Sequence, residues 1–132
     1  MDNKKQSKSK NGVATTEQVD SAQPQIKEFN GGVTAEQIGI WKNQHGRIAE
    51  VRITDDEVAE CHVGYFRRPD MKTMQAVNAT SKTDEVKASE VMFNNCWLGG
   101  SQMLQTDAIL KMEAMATLGT MFGKCTRHLK NL

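Results

Sequence analysis

The sequence predicts a single α+β domain, in which an N-terminal helix is followed by a two-stranded antiparallel β-hairpin and three C-terminal helices that pack against it. Two observations carry this prediction. Apolar residues change from helical spacing to strict alternation after Gly46, and helical spacing returns after Pro69. The length of 132 residues also suits one domain, which we place at residues 26–132.

Residues 1–25 are predicted to form a disordered arm. The arm holds four lysines, and its only large apolar side chains after Met1 are Val13 and Val19. So few apolar side chains do not offset the entropy that ordering costs. The first ten residues carry a net charge of +3, because they hold four lysines and one aspartate. This charge suits a solvated tail, and contact with an anionic surface is the alternative.

The first helix is predicted over about residues 35–45, after a short extended entry at residues 26–29. Thr34 and Gln37 stand at the two positions of a capping box, in which the threonine hydroxyl accepts the N–H three residues on. Apolar residues follow at helical spacing, and Gly46 provides the left-handed stop.

The hairpin is predicted from an alternation of apolar and polar residues on both sides of a polar turn. Ala49, Val51 and Ile53 point to one face, which is the pattern of a half-buried strand. After the turn at residues 54–57, a second alternating run leads to Tyr65. Only these two strands are evident. An isolated hairpin is marginal in water, so helices must cover its apolar face.

Three helices are predicted after Pro69, which ends the second strand because it has no backbone N–H. The first covers about residues 70–80. The second covers about residues 84–96 after Thr83, its predicted cap. The last runs from about residue 107 to 128, where apolar side chains keep helical spacing throughout.

No reaction centre is indicated by the residues. The three cysteines are odd in number and far apart, which argues against a disulfide framework and for a reducing compartment. Cys125 and His128 on the predicted helix would be only half of a metal site. The glycine pairs at 31–32 and 99–100 lack a phosphate-binding pattern and are predicted as turns. We therefore expect no catalytic residue, no metal ion and no cofactor.

The composition also limits location and partners. No apolar run reaches the length of about 18 residues that a membrane span needs. The lysine-rich start is not followed by the apolar segment of a secretory signal, so the cytoplasm is the expected location. A net charge of +1 does not favour long-range attraction to nucleic acid or to a membrane.

A basic and aromatic cluster at the end of the second predicted strand offers an alternative function. Arg67 and Arg68 follow Tyr65 and Phe66 directly. Arginine pairs with phosphate and aromatic rings stack on bases, so this pair and the lysine arm are a candidate nucleic-acid contact. At a strand end, however, arginine stems also simply cover apolar surface, and this second interpretation is favoured.

Two segments, Val63–Asp70 and Glu90–Gly100, together with the order of the predicted elements, resemble small proteins of tailed bacteriophages and prophages. The likeness is greatest to the tail assembly chaperone group and covers roughly residues 34–129. It implies a non-enzymatic virion-assembly protein of the host bacterial cytoplasm, which binds the tape measure protein during tail morphogenesis. The expected partner is this long helical protein or another tail protein, and self-association is left open.

Methionines suggest where a partner would bind. Seven follow Met1, all in or beside the helical half. For any single one of them, filling a gap in the core is the favoured role. Because the flexible side chain of methionine also adapts to irregular surfaces, together these residues favour a surface that repacks on binding. From this pattern, and from no family motif, the candidate contact residues are Met112, Met115, Met121 and Phe122, with Arg67 and Arg68 at the rim.

Overall fold

The computed structural model describes residues 25–132, so the predicted arm lies outside the described residues apart from Gln25. This part of the chain folds as α+β, as the sequence predicts, and its mixed sheet has four strands. It holds five α-helices where four are predicted, because a short helix at Met103–Thr106 is not predicted from the sequence. The strands are β1 (Lys27–Phe29), β2 (Ile48–Asp55), β3 (Glu60–Arg67) and β4 (Trp97–Gly100). The helices are α1 (Ala35–His45), α2 (Met71–Ser81), α3 (Glu85–Cys96), α4 (Met103–Thr106) and α5 (Ala108–Gly119), followed by a 3₁₀ turn at Thr120–Lys124.

Strand β3 is the centre of the sheet. The predicted hairpin is confirmed, because β2 pairs antiparallel with β3 from Ile48 opposite Arg67 to Asp55 opposite Glu60. Two further strands share the other edge of β3. Strand β1 pairs parallel with the first part of β3, and β4 pairs antiparallel with the second part of β3. The prediction of only two strands is therefore wrong.

Neither of these two strands has a local strand pattern, although β1 falls within the extended entry predicted at residues 26–29. Strand β1 has only three residues, all of them exposed. Strand β4 ends in Gly99 and Gly100, a pair that predicts a turn. Gly100 lies at φ +143°, and a Cβ at this position would stand 2.5 Å from the carbonyl oxygen of Val63. Glycine is thus what allows β4 to approach β3 so closely.

Helix α1 covers one face of the sheet. Its cap is confirmed, because Thr34 Oγ1 accepts the N–H of Gln37 at 3.1 Å, and it ends before Gly46 at φ 81°. Trp41 packs on Tyr65 with 6.0 Å between ring centres. Together with buried Cys61 and Val63 on β3, these rings form a small core under α1.

The larger core lies on the opposite face of the sheet. Phe66 of β3 contacts Phe93 of α3 and Trp97 of β4, with ring centres 5.2 Å and 5.4 Å apart. Phe66 and Phe93 are completely buried. Helix α5 closes this core from outside with Leu110 and Leu118. The hairpin, α3 and α5 are therefore held by one set of apolar contacts.

Two helix ends differ from the predictions. Asp84, not Thr83, caps α3, because its Oδ1 accepts the N–H of Lys87 at 3.0 Å. The last helix ends at Gly119 instead of near residue 128, since glycine is costly inside a helix and the chain tightens into the 3₁₀ turn. Residues 125–132 are exposed and form neither helix nor strand. Within residues 25–132, the helices all fall short of what a membrane crossing requires in length and apolar character.

Candidate functional site

An open groove lies between α3 and α5, with α2 along one side. Its main part has a volume of about 430 Å³ and is lined by Val77, Ala88, Met92, Met115, Gly119 and Phe122. Two smaller hollows of about 200 and 160 Å³ adjoin the main part. Met115 lines all three, and Val86 and Met112 line the two smaller ones. We call this continuous surface the α3–α5 groove.

Three of the predicted contact residues meet in the α3–α5 groove. Met115 is 8% exposed and forms part of its floor, whereas Met112 and Phe122 are each 49% exposed. Val86 on the facing helix is 57% exposed. Large apolar side chains on both walls are thus open to solvent, which is the arrangement that receives the apolar face of a helix.

An ion pair at the wall of the groove bridges α3 and α5. Lys111 Nζ lies 3.1 Å from Glu90 Oε2 and 5.4 Å from the centre of the Phe93 ring. The hydrogen bond from Lys111 lowers the pKa of Glu90, and the charges of Lys111 and Lys87 lower it further. This contact joins the two helices at the rim while Phe93 joins them in the core.

The other predicted contact residues lie elsewhere. Met121 lines a separate opening of about 190 Å³ beside β2, together with half-buried Ile48 and the exposed residues Arg68 and Lys124. The structure therefore brings Met112, Met115 and Phe122 together and places Met121 with Arg68.

Arg67 belongs to neither opening. Its side chain is 21% exposed, and its Nη1 lies 3.6 Å from Asp70 Oδ2. Asp70 caps α2 by accepting the N–H of Thr73 at 2.8 Å. This hydrogen bond is the main reason that the pKa of Asp70 is lowered, and the positive charge of Arg67 adds to it. Arg67 thus supports the start of α2 and is poorly placed to contact phosphate.

A buried polar cluster that the sequence did not indicate lies under the sheet's edge. His62 Nδ1 is 2.7 Å from Ser101 Oγ, and His62 Nε2 is 3.1 Å from Glu60 Oε1. The N–H of Ser101 donates to the carbonyl of Val63 at 2.9 Å, which fixes the serine beside β3. Phe29 of β1 stacks on the His62 ring at 5.3 Å.

The Glu60–His62–Ser101 cluster has the residue types of a hydrolytic triad but not its access. Ser101 is 6% exposed and His62 is 3% exposed. Neither side chain lines the α3–α5 groove or the opening at Met121. A nucleophile must reach its substrate, so this geometry favours a structural role, in which the serine and the glutamate satisfy a buried histidine.

The remaining chemistry-bearing residues are dispersed. Among residues 25–132, no three side chains of His, Cys, Asp or Glu are grouped so that they could hold a metal ion. Cys61 and Cys96 are buried, Cys125 is exposed, and all three are free thiols. Burial raises the pKa of the Cys96 thiol, which keeps this group unreactive at neutral pH.

Comparisons with known proteins add little to this geometry. No protein family profile matches the chain, and no curated protein is significantly similar to it. A solved structure of an uncharacterised protein from Bacillus stearothermophilus is similar over 71% of this chain and 99% of that one, with 18% identity and a TM-score of 0.49. A likeness of this size carries no conclusion about fold or function.

Proposed function

We propose that this chain is a non-enzymatic protein that holds an apolar helical segment of a partner in the α3–α5 groove. Its proposed role is that of a phage tail assembly chaperone, and its partner in that role is the tape measure protein in the host cytoplasm. The observation that carries the proposal is the convergence of Met112, Met115 and Phe122 with Val86 on one open groove.

The physical argument rests on what these side chains do when a helix binds. Methionine has three rotatable bonds and a polarizable sulfur, so it adapts to apolar side chains of different shape. A chaperone needs this tolerance, because it must cover successive segments of a long helix and then release them. Burial of a fully exposed apolar side chain is worth about 1.5–3 kcal/mol. Met112 and Phe122 are already about half buried, so each adds about half of that amount, and the cost of association leaves weak, reversible binding.

The segments that carry the phage resemblance contribute two lining residues to the groove, Glu90 and Met92, and otherwise lie outside it. Glu90–Gly100 includes the second half of α3 and all of β4, and Val63–Asp70 includes the end of β3 and the cap of α2. Met92 of the first segment lies on the groove floor. The resemblance therefore supports the scaffold, while the partner contacts are proposed from the geometry of the groove.

The proposal predicts that a gene for a tape measure protein neighbours the gene for this chain, and co-expression of the two proteins tests it. The tagged chain is expected to capture that protein in a pull-down. The double variant Val86→Glu/Met112→Glu places two charges in the groove and is expected to weaken capture at least about tenfold.

A matched control keeps the added charge but leaves the groove intact. Val58 and Ile109 are 57% and 76% exposed and do not line the groove. The variant Val58→Glu/Ile109→Glu is therefore expected to bind as the unchanged chain does. Equal loss in both variants would contradict a role for the groove.

The nucleic-acid alternative gives a different outcome in the same preparation. If the chain stays alone in the pull-down and shifts DNA in a salt-dependent way that is lost when residues 1–25 are deleted, the chaperone proposal is wrong.

A further inference from the structure

Residues 125–132, which we call the C-terminal segment, leave the fold with two unpacked leucines. Leu129 is 87% exposed and Leu132 is fully exposed. The same segment carries Arg127 and Lys130. A segment with apolar and basic side chains at regular spacing, and with no helix or strand of its own, has the composition of a peptide that docks on an apolar surface with an acidic rim.

The α3–α5 groove has that complementary charge. Three charged side chains line it, Glu85, Glu90 and Lys111, and the last two pair with each other. Within residues 25–132, Glu85 forms no ion pair. Glu85 is exposed and lines the groove with Ser89 and Met115, so a basic side chain that entered the groove would complement its charge.

The spacing of the two leucines matches the length of the groove. In a polyproline-type conformation, residues three apart lie on one face at a separation of about 9 Å. Leu129 and Leu132 then share one face, and Arg127 and Lys130 share a second. Along α5, the seven steps from Met112 to Gly119 rise about 10 Å. Both leucines would therefore sit on the groove floor, with the basic pair beside them.

The segment's starting point directs it away from its own groove. Phe122 lines the α3–α5 groove, but Lys124 and Cys125 line the opening beside β2, where Arg47 and Ile48 lie. To enter its own groove, the chain would have to reverse within the first residues of the segment. A second copy can offer its groove without such a reversal.

We propose that the C-terminal segment of one copy occupies the α3–α5 groove of a second copy, and that reciprocal exchange makes a symmetric dimer. Reciprocal exchange uses the same surface twice, as closed two-fold dimers do. The dimer keeps the apolar groove covered, and a helical partner would compete with the segment for it. The inference goes beyond the proposed function, because it does not depend on the identity of that partner.

Sedimentation equilibrium of the full chain over a range of concentrations is the first test. The full chain is expected to dimerise. The variant Leu129→Glu/Leu132→Glu is expected to weaken the dimer at least about tenfold. The control His128→Glu/Asn131→Glu adds the same charge on the third face of the segment, and its dissociation constant is expected to change less than about threefold. All four positions are exposed, so circular dichroism is expected to show an unchanged fold.

A charge exchange tests the predicted partner of Glu85. The variants Glu85→Lys and Arg127→Glu/Lys130→Glu are each expected to weaken the dimer. The chain that carries all three substitutions is expected to recover a large part of the lost affinity. Failure to recover would overturn the proposed contact at Glu85.

Disulfide crosslinking decides which copy supplies the segment. One chain carries Ser89→Cys and a second carries Leu132→Cys, each with Cys125→Ser, and Ser89 lines the groove. A disulfide between the two different chains is expected on mild oxidation. A crosslink that forms only when one chain carries both cysteines, or a chain that stays monomeric at every concentration, would overturn the inference. A chain that stays monomeric but still captures the tape measure protein would overturn the dimer and leave the proposed function intact. A chain that dimerises but captures nothing would support the dimer and contradict the proposed function.

Discussion

Replacing Ser101 by alanine tests whether the Glu60–His62–Ser101 cluster is structural. An ionised carboxylate only accepts hydrogen bonds, so in the neutral imidazole tautomer that fits this contact, His62 carries its N–H on Nε2 and donates it to Glu60. His62 Nδ1 then accepts a hydrogen bond from the hydroxyl of Ser101, with 2.7 Å between the two atoms. The substitution removes this donor and leaves Nδ1 without a partner in a side chain that is only 3% exposed.

The expected loss of stability follows from the cost of an unsatisfied buried acceptor, which is about 1–3 kcal/mol. With a urea m-value of about 2 kcal/mol/M, the unfolding midpoint falls by about 0.5–1.5 M. The double variant His62→Leu/Ser101→Ala removes both partners, and Glu60 can still reach water. The alanine substitution is therefore expected to cost less in the leucine background than in the native one.

Equilibrium urea unfolding, followed by circular dichroism, measures both effects. Ser89→Ala is the control, because Ser89 is exposed and its change is expected to stay within about 0.5 kcal/mol. The structural interpretation is wrong if Ser101→Ala leaves the midpoint unchanged. It is also wrong if the native chain hydrolyses an activated ester and this variant does not, because Ser101 would then act as a nucleophile.

Three further predictions concern the frame that holds the groove. Phe93→Ala removes the ring that packs on both Phe66 and Trp97 and is expected to lower the free energy of unfolding in urea by about 3–5 kcal/mol, so a loss below about 1 kcal/mol would contradict the core packing. Gly100→Ala is expected to lower the thermal midpoint, because its Cβ would stand 2.5 Å from the Val63 oxygen, whereas Gly39→Ala, with nothing within 4 Å of the new Cβ, is expected not to lower it. For Asp70, a folded-state pKa below the ordinary value of 3.8 means that its stabilising contribution is present above that value and is lost as the pH falls through the folded pKa. Asp70→Asn is therefore expected to reduce stability at pH 7 and to make stability fall less steeply as the solution is acidified. Urea midpoints measured at pH 7 and at a pH below 3.8 test both effects.

Local signals in the sequence were enough for the hairpin and for most helix starts. Alternation and capping depend on residues only a few positions apart, so β2, β3 and the cap of α1 follow from the sequence alone. Strand β4 does not, because Gly99 and Gly100 are locally the same as a turn. What makes them a strand is the pairing of Gly100 with Gly64, which no short window contains.

Because strand β4 is not predicted, the buried cluster around His62 is not predicted either. Alternation in β3 places His62 on the face opposite Cys61, and this much is evident from the sequence. Its partner Ser101 is 39 residues away and is positioned by the register of β4 on β3. Without β4, the cluster has no signal in the sequence.

The helical period explains why Met121 is separated from the other candidate contact residues. At about 100° per residue, Met112 and Phe122 lie within about 60° of Met115 around the helix axis, whereas Met121 lies about 120° away. Grouping all four assumed a long helix with one broad apolar face. The actual helix ends at Gly119, yet Met121 still turns toward β2 and Phe122 toward the groove. Binding at the groove and any contact at Met121 and Arg68 are therefore separate properties, and a loss of partner capture caused by Met112→Glu but not by Met121→Glu would assign the partner to the groove.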